Sequence, residues 1–194
     1  MKTFKNQNSE FSLIEQKSKF IALGYFVKDD AEVKNILEIL SKKYNDAKHV
    51  CYAYIFDDNN FYYYDDGEPK MTAGKPIYDA IKFNNLNYSL IVVIRYFGGI
   101  KLGASKLQRV YRQTVNILIK NSQLSLILKL KEYYAKFNFS SSKQVDMFLN
   151  DKIVLTKKYF NEFVECSFLS DKEVKNNNLF IEIDLVDKNY LYVE

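Results

Sequence analysis

Apolar positions follow two periods along this chain, and the switches between them mark its elements. Lys17–Val27 (KSKFIALGYFV) is an apolar-rich run that predicts a first strand. Ala31–Tyr44 changes period: Val33, Ile36, Leu37 and Leu40 fall at helical spacing, with Asp29 and Asp30 as N-terminal caps. His49–Phe56 returns to alternation, with His, Cys, Ala and Ile against Val, Tyr, Tyr and Phe, which predicts a second strand. Phe61–Tyr64 reads as a short third strand after a turn at Asp57–Asn60, and Asp65–Pro69 as a loop. Thr72–Pro76 leads into a helix through about Phe83, with Pro76 in its first turn. Tyr88–Phe97 is the most apolar strand, expected to be central and covered on both faces. A helix over Ser105–Asn121 follows.

A second unit then repeats the alternation. Leu126–Phe139, Ile153–Lys158, Phe163–Leu169 and Leu179–Val186 read as strands. Ser142–Leu149 reads as a short helix, and Asp171–Asn176 as another. The order βαββαβ is the ferredoxin-like arrangement. The boundary falls near Gln123–Ser125, giving two domains, 1–124 and 125–194, of overall α+β class.

Composition narrows the setting. With 2 Pro and 6 Gly in 194 residues there is no sign of a long flexible linker. The N-terminus lacks an apolar run followed by a cleavage site, so no signal peptide is expected. The longest apolar run, Leu90–Ile94, falls far short of the ~20 residues that span a bilayer. Cys51 and Cys166 with the single His49 cannot form a four-ligand zinc site without carboxylates. Reduced thiols in a cytoplasmic protein are the expectation, with no cofactor.

The net charge of +4 is small, but its distribution is uneven. No Asp or Glu occurs between Asp79 and Glu132, while that interval holds nine Lys and Arg residues, including all three arginines, Arg95, Arg109 and Arg112. Such a one-sided interval reads as a surface for a polyanion, since Arg grips phosphate bidentately.

The strand and helix of that interval are joined by Gly98, Gly99 and Gly103. The spacing Gly98 to Gly103 is that of a P-loop, but Ala104 and Ser105 stand where Lys and Ser/Thr belong, so a Walker A site is rejected. A dinucleotide fingerprint fails because only Gly98-Gly99 and then Gly103 are present. What survives is a helix N-terminus beside Lys101 and Lys106, able to accept anions. The helix carries Leu107, Val110, Tyr111, Thr114 and Leu118 on one face and Arg109, Arg112, Asn116 and Lys120 on another. Tyr96 and Phe97, just before the turn, are stacking candidates or core. Asp65, Asp66 and Glu68 are candidate Mg²⁺ ligands, although an acidic turn is the commoner explanation. His49 and Cys51 face the same way on their strand, yet no third group orients them, so packing is favoured over thiol catalysis.

The blocks KSKFIA, HVCYAY, DDGEPKMTAGKPIYDAI and IVVIRYFGGIKLGASKL, in that order over Lys17–Leu124, resemble the YigZ/IMPACT family. The resemblance implies an N-terminal domain like domain IV of elongation factor G, of the ribosomal-protein-like fold, and a ferredoxin-like C-terminal domain. It also implies a functional patch. One part comprises Asp65, Asp66, Gly67, Glu68, Thr72, Ala73, Gly74, Lys75 and Pro76. The other comprises Arg95, Tyr96, Phe97, Gly98, Gly99, Lys101, Leu102 and Gly103, with His49 nearby. The chain departs from the family at Lys70-Met71, where Ser-Gly is usual, and at Ser105-Lys106, where Gly-Gly is usual. Eukaryotic relatives act in translational control by binding a regulator of a stress kinase.

Three functions follow from these features. The first is a non-enzymatic RNA or ribosome binder associated with translation, in which Lys75, Arg95, Lys101, Lys106, Arg109 and Arg112 contact phosphate and the Gly98–Gly103 turn lets backbone approach. The second is an enzyme on a small phosphorylated or nucleotide substrate with metal at Asp65, Asp66 and Glu68. The third is a regulator that binds a protein partner. No membrane association is expected.

Overall fold

A computed structural model describes residues 1–5 and 9–193; residues 6–8 and 194 of the expected domains lie outside it. The chain divides into two compact units, residues 1–127 and 128–193. Among the described residues the elements form two sheets and four α-helices.

The first unit contains β1 (Lys2–Phe4), β2 (Ser9–Glu15), β3 (Ser18–Phe26), α1 (Asp30–Lys43), β4 (His49–Asp57) and β5 (Asn60–Tyr64). It continues with α2 (Gly74–Phe83), β6 (Ser89–Tyr96) and α3 (Ala104–Asn121). Its sheet runs β2-β3-β6-β4-β5, antiparallel at every step. β6 is central, and Ser89–Arg95 are buried. An antiparallel strand with both faces apolar requires cover on both sides. On one side, Phe20, Ala22, Cys51, Ala53, Ile91 and Val93 pack with Ile77 and Ile81 of α2 and Leu107, Val110, Tyr111 and Leu118 of α3. On the other side α1 faces Tyr52 and Tyr54 across an open groove.

α1 starts where the acids predict. Asp29 Oδ1 accepts from Glu32 N–H at 2.9 Å, and Glu32 Oε2 accepts from Lys28 N–H at 2.8 Å. The first bond satisfies a free donor of the first turn, and the second ties the helix to the residue before its cap. Asp30 lies inside the helix and accepts instead from the Tyr54 hydroxyl.

The N-terminal sixteen residues, unassigned from periodicity, hold two strands. β2 forms a hairpin with β3 through Gln16 and Lys17, both at positive φ. β1 pairs with Leu124–Leu126 at the start of β7 (Leu124–Asn138), and Phe4 is fully buried against Gly24.

The second unit holds most of β7, then α4 (Ser142–Leu149), β8 (Ile153–Tyr159), β9 (Phe163–Ser170) and β10 (Glu182–Val193), in the order β10-β7-β9-β8. Its core includes Tyr133, Phe137, Val145, Leu149, Val164 and Phe168. The expected βαββαβ order is corrected to βαβββ, because residues 171–176 are not helical. The Ser170 hydroxyl takes Lys172 N–H at 3.2 Å, and the Tyr133 hydroxyl takes Val174 N–H at 3.0 Å. The Tyr133 hydroxyl thus occupies a donor that a helix would use, and the following Asn176–Asn178 run has poor helix propensity. β10 therefore starts later than expected, after a turn closed by Asn177.

Candidate anion-binding cleft

Arg95 is the last fully enclosed residue of β6. In register it lies between Phe20 of β3 and His49 of β4, on the same face as Ile91 and Val93. That face looks toward α2 and α3, so the guanidinium lies under the start of α3. Its side chain is 4% exposed and packs on the rings of Phe20 and Phe97, 5.3 and 5.5 Å from their centroids.

A buried guanidinium needs a counter-charge, and Glu68 supplies it. Glu68 Oε1 accepts from Arg95 Nη1 at 2.6 Å and from the Tyr111 hydroxyl at 2.8 Å. Arg95 Nη2 donates to Ser18 Oγ at 3.4 Å, while Nε is buried with no partner. Below Tyr111, Cys51 Sγ lies 3.4 Å from the hydroxyl and 3.0 Å from the Asp65 carbonyl, to which it donates. Burial, then the neighbouring Cys51 and Glu68, hold the Tyr111 phenol far above its ordinary range. Burial likewise pushes the Cys51 thiol far up, so it is a hydrogen-bond donor and not a thiolate nucleophile. His49 gives Cys51 no activation, because its Nδ1 is 2.7 Å from the Asp66 carbonyl. A carbonyl only accepts, so Nδ1 carries the proton and Nε2 is what the ring can offer elsewhere.

The three acids of the DDGEP loop serve three different ends. Asp65 accepts from the N–H groups of Met71, Ala73 and Gly74 at 2.8, 2.9 and 2.8 Å, and so caps α2 from outside the helix. Asp66 Oδ2 accepts from Val50 N–H at 2.6 Å, tying the loop to β4. Glu68 is occupied by Arg95 and Tyr111. No metal-binding group of three such ligands occurs among the described residues. Thr72 closes the loop through Pro69 O at 2.6 Å, and Gly74 is needed because a Cβ there would sit 2.7 Å from Tyr64 N.

The glycine turn has two separate requirements. Gly98 is glycine for space, since a Cβ would fall 2.0 Å from the Lys17 carbonyl carbon of the β2–β3 turn. Gly103 has φ 76° at the N-cap of α3, where no side chain caps the helix and no acid occupies the first turn. The first N–H groups of α3 are therefore presented outward with the positive end of its dipole.

These elements enclose a cleft of about 380 Å³. Lys48, His49, Arg95 and Lys101 give it its basic groups, Glu68 its acid, and Pro69, Phe97, Leu102 and Leu107 its apolar walls, with Gly103 and Ala104 at the helix end. Phe97 is 47% exposed. Tyr96 points to the opposite face and bonds Asp46 at 2.9 Å, so only one of the two aromatics borders the cleft.

The structure divides the predicted phosphate contacts. The interval free of acids in sequence is not free of them in space. Glu15 of β2 pairs with Lys106 at 2.5 Å. Asp79 of α2 pairs with Lys75 and lies 3.9 Å from Arg112 across the helices. Arg95 belongs to the floor of the cleft and not to an exposed stripe. Lys101 and Arg109 are exposed, and Gly99 is exposed at positive φ. Periodicity missed Lys48, whose only signal was its place before His49, and it placed Tyr111 in the packing stripe without its bond to Glu68. A second, wider groove of about 560 Å³ runs between α1 and Tyr52, Tyr54 and Tyr62, and its charged lining is two acids, Asp30 and Glu38, against one base, Lys34.

Residues 16–119 match the Impact N-terminal domain. The chain belongs to the IMPACT family. It is 30% identical over 176 residues to the IMPACT family member YvyE of Bacillus subtilis, covering 89% of this chain and 80% of that protein. The IMPACT family member YigZ of Escherichia coli is 31% identical over 122 residues, 61% of this chain and 60% of YigZ. A crystal structure of a hypothetical protein superposes with a TM-score of 0.65 at 25% identity, covering 87% of this chain and 84% of that one. The matched residues 16–119 include every residue that lines the cleft.

Proposed function

We propose that this protein is a non-enzymatic RNA-binding member of the IMPACT family that works with the translation apparatus in the cytoplasm. The observation that carries the proposal is the cleft. Lys48, Lys101, Arg95 and the uncapped end of α3 converge there, and the one carboxylate in its lining is already bonded to Arg95 and Tyr111. Arg109, exposed on α3, extends the contact surface. A role in translation is supported by the family, whose eukaryotic members act in translational control. Among the described residues, no helix is long and apolar enough to cross a membrane. Kinship of the first unit with domain IV of elongation factor G belongs to the same proposal. So does kinship of the second with ferredoxin-like domains, which is supported by its strand order β10-β7-β9-β8, with a non-helical second crossover.

Metal-dependent chemistry on a small phosphorylated substrate is the weaker assignment, because Asp65, Asp66 and Glu68 are each engaged by different partners. Anisotropy titration of fluorescent structured RNA tests RNA binding. Affinity should fall steeply between about 50 and about 500 mM salt. Arg109→Glu with Lys101→Glu should weaken binding without changing the circular dichroism spectrum. Salt-independent binding, or none at micromolar protein, refutes the assignment; enrichment of one protein and no RNA from cells would favour a protein-binding regulator instead.

A further inference from the structure

We propose that the cleft is a subsite for a phosphate monoester: a terminal phosphate with its nucleoside, at an RNA end or in a free mononucleotide. This rests on the RNA-binding assignment and narrows it from a basic surface to an end-recognition pocket.

Four features point to it. The lining carries Lys48, Arg95 and Lys101 against Glu68, a formal excess of two positive charges before His49 is counted. A phosphate monoester carries nearly two negative charges at neutral pH, and an internal phosphodiester carries one. Arg95 is a built component and not a surface charge: its side chain is 4% exposed, Glu68 and Ser18 hold its Nη atoms, and Nε has no partner. A buried N–H without a partner calls for an explanation, and a bound anion is the one that the neighbouring basic groups favour. The part of Arg95 that stays accessible lines this cleft.

The end of α3 is open to a ligand. Gly103 leaves the helix without a side-chain cap, and a Cβ built there meets nothing within 4 Å. An anion can therefore approach the first-turn N–H groups directly.

The cleft is also two-natured. Its basic end adjoins walls of Pro69, Leu102 and Leu107, and Phe97 stands 47% exposed beside the guanidinium. Apolar walls with a few charged groups suit an organophosphate better than inorganic phosphate, and an exposed ring gives a base a stacking face. At about 380 Å³ the cavity lies within the small-ligand range and is concave, so a chain end fits it and a duplex does not.

The test compares one short oligoribonucleotide bearing a 5′-phosphate, a 3′-phosphate or hydroxyls at both ends, on the full chain. Adenosine 5′-monophosphate, adenosine and inorganic phosphate serve as competitors. The proposal expects one phosphorylated end to bind at least ten-fold tighter than the hydroxyl-ended RNA. Adenosine 5′-monophosphate should compete, and adenosine should not. Lys101→Glu should erase the preference between ends, whereas Arg109→Glu should weaken all the oligomers alike. Amide shifts confined to Gly99, Lys101 and Gly103 on adding adenosine 5′-monophosphate would support the placement independently of any variant. RNA binding with equal affinity for all ends overturns the subsite and leaves RNA binding standing. Binding of adenosine 5′-monophosphate without RNA supports the subsite and overturns RNA binding. Binding of neither overturns both.

Discussion

Replacing Glu68 with glutamine keeps the shape of the side chain and removes its charge. In the wild type, Glu68 and Arg95 are 3% and 4% exposed and 2.6 Å apart, with the Tyr111 hydroxyl also on Glu68. Removing one partner of a buried pair strands the other charge, at a cost of about 3–5 kcal/mol. The glutamine carbonyl still accepts hydrogen bonds, which places the expectation for Glu68→Gln near the lower end, about 3 kcal/mol. In urea, with a slope of about 1–3 kcal/mol per molar, the midpoint of the first unit should fall by at least about 1 M. The two units need not unfold together. Peptide-resolved alkylation separates them, because Cys51 lies in the first core and Cys166 in the second. The labelling midpoint of Cys51 should shift while that of Cys166 stays. The double variant Glu68→Gln with Arg95→Met leaves no stranded charge and should recover part of the loss. A Glu68→Gln protein within about 0.5 kcal/mol of wild type, or a double variant no better than the single, would refute a charge-compensated floor beneath the cleft.

Two further outcomes test other parts of the site. Met71 stands at φ 63°, 47% exposed, where the family resemblance implies glycine. Relief of about 1–2 kcal/mol of left-handed strain, less the ~0.5–1 kcal/mol entropic cost of glycine, predicts that Met71→Gly stabilises by about 0.5–1 kcal/mol in urea titration. A destabilised variant would refute strain at this turn. Cys51 and Tyr111 are both raised by burial from ordinary values of 9.0 and 10.0. The folded state thus keeps protons that the unfolded chain releases, and this contribution is whole below pH 9.0 and declines as pH rises through 9.0 and 10.0. Thermal melts from pH 7 to 11 should show that decline, and Cys51 should resist alkylation in the native protein at pH 8, whereas rapid labelling there would contradict a buried thiol.

The elements were legible because periodicity is a local property. Alternation in His49–Phe56 set Cys51, Ala53 and Ile55 toward the core, and helical spacing put Leu107, Val110, Tyr111 and Leu118 on the packed face of α3. The second crossover misled because its fate was decided from outside: the Tyr133 hydroxyl on β7 took the Val174 N–H that a helix at 171–176 would use. β2 escaped notice although Phe11 and Leu13 alternate with polar residues, because the run is short and only half buried.

The sequence by itself determined the family, through blocks in fixed order over Lys17–Leu124, and, through residues within a few positions of one another, the strand–glycine turn–helix at Arg95–Gln113, the central place of β6 and the two-faced character of α3. The tertiary structure decided which charges are free. Glu15 reaches Lys106 from 91 residues away in the chain, and Asp79 crosses from α2 to Arg112. Glu68 draws Arg95 out of water, while Lys48 arrives at the cleft beside β4. Those pairings act over a few ångströms in space, and no local pattern along the chain records them.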